Sequence, residues 1–116
     1  MNTYDKAHDL AKVLQNSEEY RTFLAAKKLV DTDEQAKKMV SEFISKQMEL
    51  EYEMMSGKPE DKAKIEQLQK MYDLLILNGK ARDFMQAHMC FQRVMGDIYK
   101  IIGDSVAEGM SFFAKE

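Results

Sequence analysis

KARDFMQAHMCFQRVMGDIYKIIGD, residues 80–104, is the stretch that decides the fold. Its apolar side chains recur at alternating intervals of four and three residues, and His88 fills one of the places. That rhythm is typical of a long helix that packs one narrow stripe against another helix. The stretch therefore predicts a long C-terminal helix over 80–104. The apolar members of the stripe are Phe84, Phe91, Met95, Ile98 and Ile102.

Similar apolar stripes precede this stretch and predict four more helices, over 4–15, 18–30, 34–56 and 60–77. Together with 80–104 they predict an all-α fold, a helical bundle of about five helices in a single domain, 1–116. Because only SGKPED joins the third and fourth helices, we expect them to form a long antiparallel hairpin. The remainder, 105–116, is predicted to be a tail.

Capping residues mark several of these boundaries. Thr3 and Ser17 are suited to cap the first two helices, because a hydroxyl can accept a hydrogen bond from a free backbone amide. Gly57 is expected to close the third helix in a left-handed conformation. Pro59 is expected at the first position of the fourth helix, where proline is tolerated.

Composition supports a helical domain and excludes some partners. One proline and five glycines in 116 residues leave few forced breaks. A net charge of −3 provides no basic field for nucleic acid or anionic lipid, so neither is predicted as a direct partner. The start, MNTYDKAHDL, is not a signal peptide pattern, and no stretch approaches the roughly 18 apolar residues of a membrane span. With one cysteine, these features predict a cytoplasmic protein.

Metal ligands are few and poorly spaced. Asp5 and His8 form one D-x-x-H pair, and His88 and Cys90 point about 200° apart on a helix, so these two cannot share an ion. We therefore predict no metal and no cofactor. His88 is interpreted as a polar side chain within a helical interface, and Cys90 as a small packed hydrophobe.

Catalytic patterns are also absent from the sequence. It contains no G-x-S-x-G elbow and no phosphate-binding glycine loop. Glu49 and Glu53 lie one turn apart, but on a highly charged helix this spacing is typical of a solvated face. The sequence therefore predicts that the protein is not an enzyme.

Methionine is the compositional outlier, with ten residues in 116. Flexible thioethers can fill a core, or they can form a surface that repacks against different partners. Because three long stripes exceed what one small chain can cover, we favour contact surfaces and predict a homo-oligomer, with a dimer favoured, and an unidentified protein partner. The predicted contacts are Phe84, His88, Phe91, Met95, Ile98, Met54 and Met55.

Three helical patterns carry a family resemblance that extends from Tyr4 to about Asp104. They are S-E-E-Y at 17–20, F-x-x-x-Q-x-x-x-E at 43–51 and F-x-R-x-M-x-D-I at 91–98. With them the chain resembles the YlbF/YmcA family of small helical bacterial proteins, and within it the YheA-like branch. None of the three patterns is an active-site motif.

The resemblance implies an all-helical, self-associating protein of Gram-positive bacteria. Relatives act without catalysis in complexes that modulate an endoribonuclease and developmental programmes such as competence and biofilm formation. Some relatives carry cysteines that help hold an iron–sulfur cluster, and this property does not transfer to a chain whose one cysteine is Cys90. Two function classes stay open: an adaptor that docks onto a protein, and a module that binds a small ligand between helices.

Overall fold

A computed structural model describes residues 2–113, and in this range the chain forms five α-helices and no strand. This confirms the all-α class with a long helical hairpin and a long C-terminal helix. Residues 114–116 of the predicted tail lie outside the described residues. The elements are α1 (Thr3–Gln15), α2 (Glu18–Asp31), α3 (Glu34–Met55), α4 (Lys62–Leu75), α5 (Gly79–Ser105) and a short 3-10 helix, Ser111–Phe113.

Side-chain caps set the helix starts, and two of them differ from expectation. Ser17 caps α2 as predicted, but Asn2 caps α1 in place of Thr3. Helix α4 begins at Lys62, not near Pro59, because the Asp61 carboxylate accepts hydrogen bonds from the first free amides of the helix. Pro59 consequently lies in the loop.

The α3–α4 hairpin is antiparallel and is fastened at two levels. Near its base the rings of Phe43 and Tyr72 lie 5.5 Å apart, and near its tip the Lys64 ammonium pairs with the Glu53 carboxylate. Gly57, with φ +88°, provides the left-handed turn after α3 that the sequence predicts. Helices α3 and α4 therefore project together as one unit.

Helix α2 packs antiparallel along the first half of α5 through aromatic side chains. The Tyr20 and Phe91 rings lie 5.3 Å apart, and so do those of Phe23 and Phe84. Helix α3 contacts both α2 and α5, which joins the hairpin to this pair. Few residues are buried in the described part of the chain: Ala26, Val30, Ala36, Val40, Phe43, Leu75, Ala81, Phe84, Met85 and Ala87.

The molecule is flat and open for its size. Its radius of gyration is 17.8 Å, against about 13 Å for a compact domain of this length. Its extents are 48 × 39 × 15 Å, so in the thin direction it holds little more than two packed helices. Its accessible surface is 9476 Å², against roughly 6,500 Å² for a compact protein of this mass. Apolar faces that a second layer would cover are therefore left open.

Two segments in particular are little covered by the rest of the described chain. Helix α1 has no buried residue. Every residue from Tyr99 to Phe113 is exposed, although this range includes the last seven residues of α5. Both segments are nevertheless amphipathic, so their apolar faces are candidates for contact with another chain.

Candidate protein-interaction surfaces

The first half of the α5 stripe is covered within the chain. Phe84 is only 8% exposed, and Phe91 is half-buried against α2. His88 lies between them, with its ring 5.4 Å from that of Phe23 and its Nε2 atom 3.3 Å from the Gln92 amide nitrogen. Phe84 is thus a core residue of the single chain, and contact of His88, Phe91, Met95 and Ile98 with another chain stays a prediction.

The second half of the stripe lies where α1 and α5 separate. Met95 is half-buried and lines an open cleft of about 400 Å³ together with Leu14, Tyr20 and Phe91. Ile98, also half-buried, follows Met95 by one turn. From Tyr99 onward every residue of α5 is exposed. We call the segment 96–105, which follows the cleft, the free half of α5.

A second group of exposed apolar side chains lies at the tip of the α3–α4 hairpin. Met54 and Met55 are exposed there, together with Met48 and Tyr52. The tip residues lie on a rigid support, because the Glu53–Lys64 ion pair ties the two helices together just below them.

Electrostatics keep this fastening intact over a wide pH range. The hydrogen bond that the Lys64 ammonium donates to the Glu53 carboxylate raises the pKa of Lys64 above its ordinary value of 10.5. A raised folded-state pKa gives a contribution that is fully present below the unfolded pKa and is lost only as the pH rises through the folded value. Lys64 is therefore expected to stay charged in this ion pair near neutral pH.

An open groove of about 680 Å³ runs between the hairpin and α5. Phe43, Leu68 and Met85 contribute apolar lining. Its polar lining side chains are Gln47, Gln69, His88, Gln92 and Arg93. Sequence reasoning missed this groove because its walls come from three successive helices, α3, α4 and α5, whose relative placement the sequence does not give. The one available signal was Gln47, a polar residue in an apolar slot of the α3 stripe.

The structure offers little for metal or acid–base chemistry. Within residues 2–113, no three His, Cys, Asp or Glu side chains are placed to hold a metal ion, and no polar or charged side chain is buried. Cys90 is exposed, so its interpretation as a packed hydrophobe is wrong. It lines an open cleft between α2 and α5 together with Thr22, Ala26 and Ala87. None of the helices in the described range is long and apolar enough to span a bilayer.

Comparison with known proteins decides the family. The family model described as control of competence regulator ComK, YlbF/YmcA, matches residues 3–107. The chain belongs to the YlbF/YmcA family. Curated relatives in line with this include a UPF0342 protein of Caldicellulosiruptor bescii, 37% identical over 90% of this chain and 88% of the relative. A UPF0342 protein of Symbiobacterium thermophilum is 36% identical over 94% and 97% of the two chains.

Solved structures agree with the fold of this YlbF/YmcA-family chain. A protein of unknown function (DUF964) from Bacillus stearothermophilus superposes with a TM-score of 0.78 at 24% identity, covering 90% of this chain and 92% of that one. Bacillus subtilis RicA, solved in complex with RicF, superposes with a TM-score of 0.58 at 25% identity, covering 92% and 95%. The DUF964 match supports the fold alone; RicA additionally is a relative that forms a protein complex.

Proposed function

We propose that this protein is a non-catalytic helical adaptor that self-associates, as a dimer, and docks onto a protein partner in the bacterial cytoplasm. The observation that carries the proposal is the large apolar surface of a flat chain, whose described polar side chains are all at least partly exposed. Surfaces of this kind are typical of interaction sites. RicA, a structurally similar protein solved in complex with RicF, provides a precedent for a protein contact.

The proposed role is regulatory. The family model is described as control of the competence regulator ComK. The resemblance of the chain to this family implies a place in complexes of RNA processing or development in a Gram-positive bacterium. An adaptor in such a complex need not touch RNA itself. With a net charge of −3 we expect only weak, non-specific RNA binding that is lost by ~0.2 M salt.

We assign the docking of the protein partner to the hairpin tip. Met54 and Met55 lie beside Tyr52 on a projecting, fastened end of the molecule. Unbranched thioethers adapt to a partner surface at small cost, and an aromatic neighbour provides a large contact area.

A small-ligand module is the second candidate, favoured by the groove between the hairpin and α5. His88, Gln92 and Arg93 place polar groups there above an apolar floor. Ligand sites enclose most of their ligand, whereas this groove is open along its length. An extended partner such as a helix suits this shape better than a small molecule.

The adaptor proposal predicts a selective effect of Met55→Ser. Met55 is 87% exposed, so the change should leave helicity unaltered but weaken affinity for the captured partner by about tenfold, because apolar contact area is lost. Leu77→Ser is the matched control, since Leu77 is 80% exposed but lies at the opposite end of the hairpin. The measurement is quantitative affinity capture from the native host, with circular dichroism of each variant.

Equal capture by both variants would remove the hairpin tip from the proposal. Tight, salt-resistant RNA binding by the purified protein would contradict the adaptor class, and so would turnover of a substrate that one side-chain change abolishes.

A further inference from the structure

Helix α5 carries a second periodic stripe, one residue further along than the first. It recurs at the same intervals of four and three residues and lies about 100° around the helix from the stripe that packs on α2. This second stripe is hard to recognise in the sequence, because two glycines and one glutamine stand at places where an apolar side chain would be expected. Its members are Met85, Met89, Gln92, Gly96, Tyr99 and Gly103.

The two halves of this second stripe have different surroundings. Met85, Met89 and Gln92 line the groove between the hairpin and α5. Gly96, Tyr99 and Gly103 lie on the free half of α5 and are exposed. One continuous helix face therefore forms the wall of an open groove and then extends beyond it as an uncovered apolar helix.

The two glycines in this stripe leave room for a close helix neighbour. Each costs about 1 kcal/mol relative to alanine in a helix interior. A Cβ atom at either position would meet nothing within 4 Å among the described residues, so the packing of the chain itself does not require them. A helix from another molecule could approach closely at these places, because no side chain stands in its way.

We propose that the occupant is a second copy of this chain. The two α5 helices pair antiparallel about a two-fold axis near Gly96, and the free half of each enters the groove of the other. This assignment rests on the self-association in the proposed function and specifies its surface and symmetry. Gly103 of one copy then lies opposite Met89 of the other, seven residues to either side of the axis.

Self-complementarity argues for a second copy over an unrelated partner. A two-fold interface requires one surface that carries both halves of the contact. Here the groove and the helix that fills it belong to the same face of α5, on either side of Gly96. A parallel pairing would instead place groove against groove and leave both free halves without a cavity to fill.

The area of uncovered surface is sufficient for a stable dimer. The chain exposes roughly 3,000 Å² more than a compact protein of its mass. Obligate homodimers bury about 2,000–5,000 Å² in total, or about half of that on each copy. Covering part of this excess on each copy would therefore reach the usual range for an obligate dimer.

Charge at the two halves is also compatible. The side chains that line the groove include Arg93 and no carboxylate. The free half of α5 carries Asp97 and Asp104, with Lys100 paired to Asp104. In the antiparallel arrangement these two carboxylates lie towards the end of the other copy's groove that carries Arg93. Opposite charges are therefore brought near each other.

Cross-linking with single cysteines tests the arrangement. All chains carry Cys90→Ser, because the native thiol is exposed. One chain adds Met89→Cys, and a second chain, which carries a tag, adds Ile102→Cys. A control chain adds Lys58→Cys at the hairpin tip. In the antiparallel pair, residue 102 of the other copy is the chain neighbour of Gly103, which lies opposite residue 89, whereas like residues are separated by about 20 Å along the axis. A short bis-maleimide is applied after the chains have been mixed and allowed to exchange.

The proposal expects the 89–102 product at more than fivefold the yield of either like-with-like product, and no product from the control chain. Like-with-like products that dominate would indicate parallel pairing and overturn it. A dimer by sedimentation that gives no α5 product would overturn this surface but leave self-association standing. A chain that is only monomeric would overturn self-association as well, while docking at the hairpin tip would be judged separately by the Met55 experiment.

Discussion

Replacing Phe84 by alanine is expected to lower the free energy of unfolding by about 3–5 kcal/mol, which is most of the stability of a marginal domain of this size. Phe84 is 8% exposed, its ring lies 5.3 Å from that of Phe23, and it belongs to the short set of buried residues. A core with so few large side chains cannot easily collapse around the cavity that alanine leaves. The measurement is urea denaturation followed by circular dichroism at one fixed protein concentration.

Phe112→Ala is the matched control for Phe84→Ala. Phe112 is 96% exposed, so the same chemical change should alter the unfolding free energy by less than about 0.5 kcal/mol. If both variants lost similar stability, or if Phe84→Ala lost less than about 1 kcal/mol, the α2–α5 aromatic interface would not be the core of the single chain.

The second large effect concerns association. Tyr99→Arg is expected to raise the dimer dissociation constant at least about 100-fold, equivalent to roughly 2.7 kcal/mol. Tyr99 lies on the second stripe of α5, where pairing of two copies would bury it and would bury an arginine without a partner. In the isolated chain Tyr99 is 67% exposed, so the variant should still fold.

Ile101→Arg is the control for this effect. Ile101 is 69% exposed in the isolated chain, almost the same as Tyr99, but it points about 200° away around the helix. It should change the dissociation constant by less than about threefold. Equal weakening by the two arginines would show that association does not depend on the second stripe. No weakening by either would show that the free half of α5 lies outside the interface.

The helices were largely predictable from sequence because local rules govern them. Apolar periodicity located each helix, and polar caps such as Ser17 fixed several starts. Pro59 was assigned too early because proline at a first helical position and Asp61 as a cap are both locally acceptable, and only the folded chain shows which start is used. The disagreement spans a few residues and leaves the hairpin unchanged.

The sequence did not predict which part of each apolar stripe is covered by a neighbouring helix. Phe84 and Ile102 occupy equivalent places in one pattern, yet α2 covers the first and leaves the second exposed. The reason is that α2 runs only along the first half of α5, while α1 separates from the second half. Cys90 was misplaced for a related cause, since its burial depends on how far neighbouring helices reach around α5.

The candidate surfaces were predictable to different degrees. Exposed methionines at the hairpin tip follow from their position near a loop, so Met54 and Met55 could be named in advance. The second stripe of α5 could not be recognised as a contact surface, because Gly96 and Gly103 lack the apolar side chains by which stripes are detected. It becomes visible only when the groove beside Met89 is known.

The most direct test of the account is sedimentation equilibrium of the purified full chain at micromolar concentration. Because the flat chain leaves an apolar face uncovered, we predict a species of about twice the 13.5 kDa chain mass. Tyr99→Arg under the same conditions should shift the distribution towards the single chain. A wild-type protein that sediments only as a 13.5 kDa species across this range would contradict the central claim that the open surface is completed by a second copy.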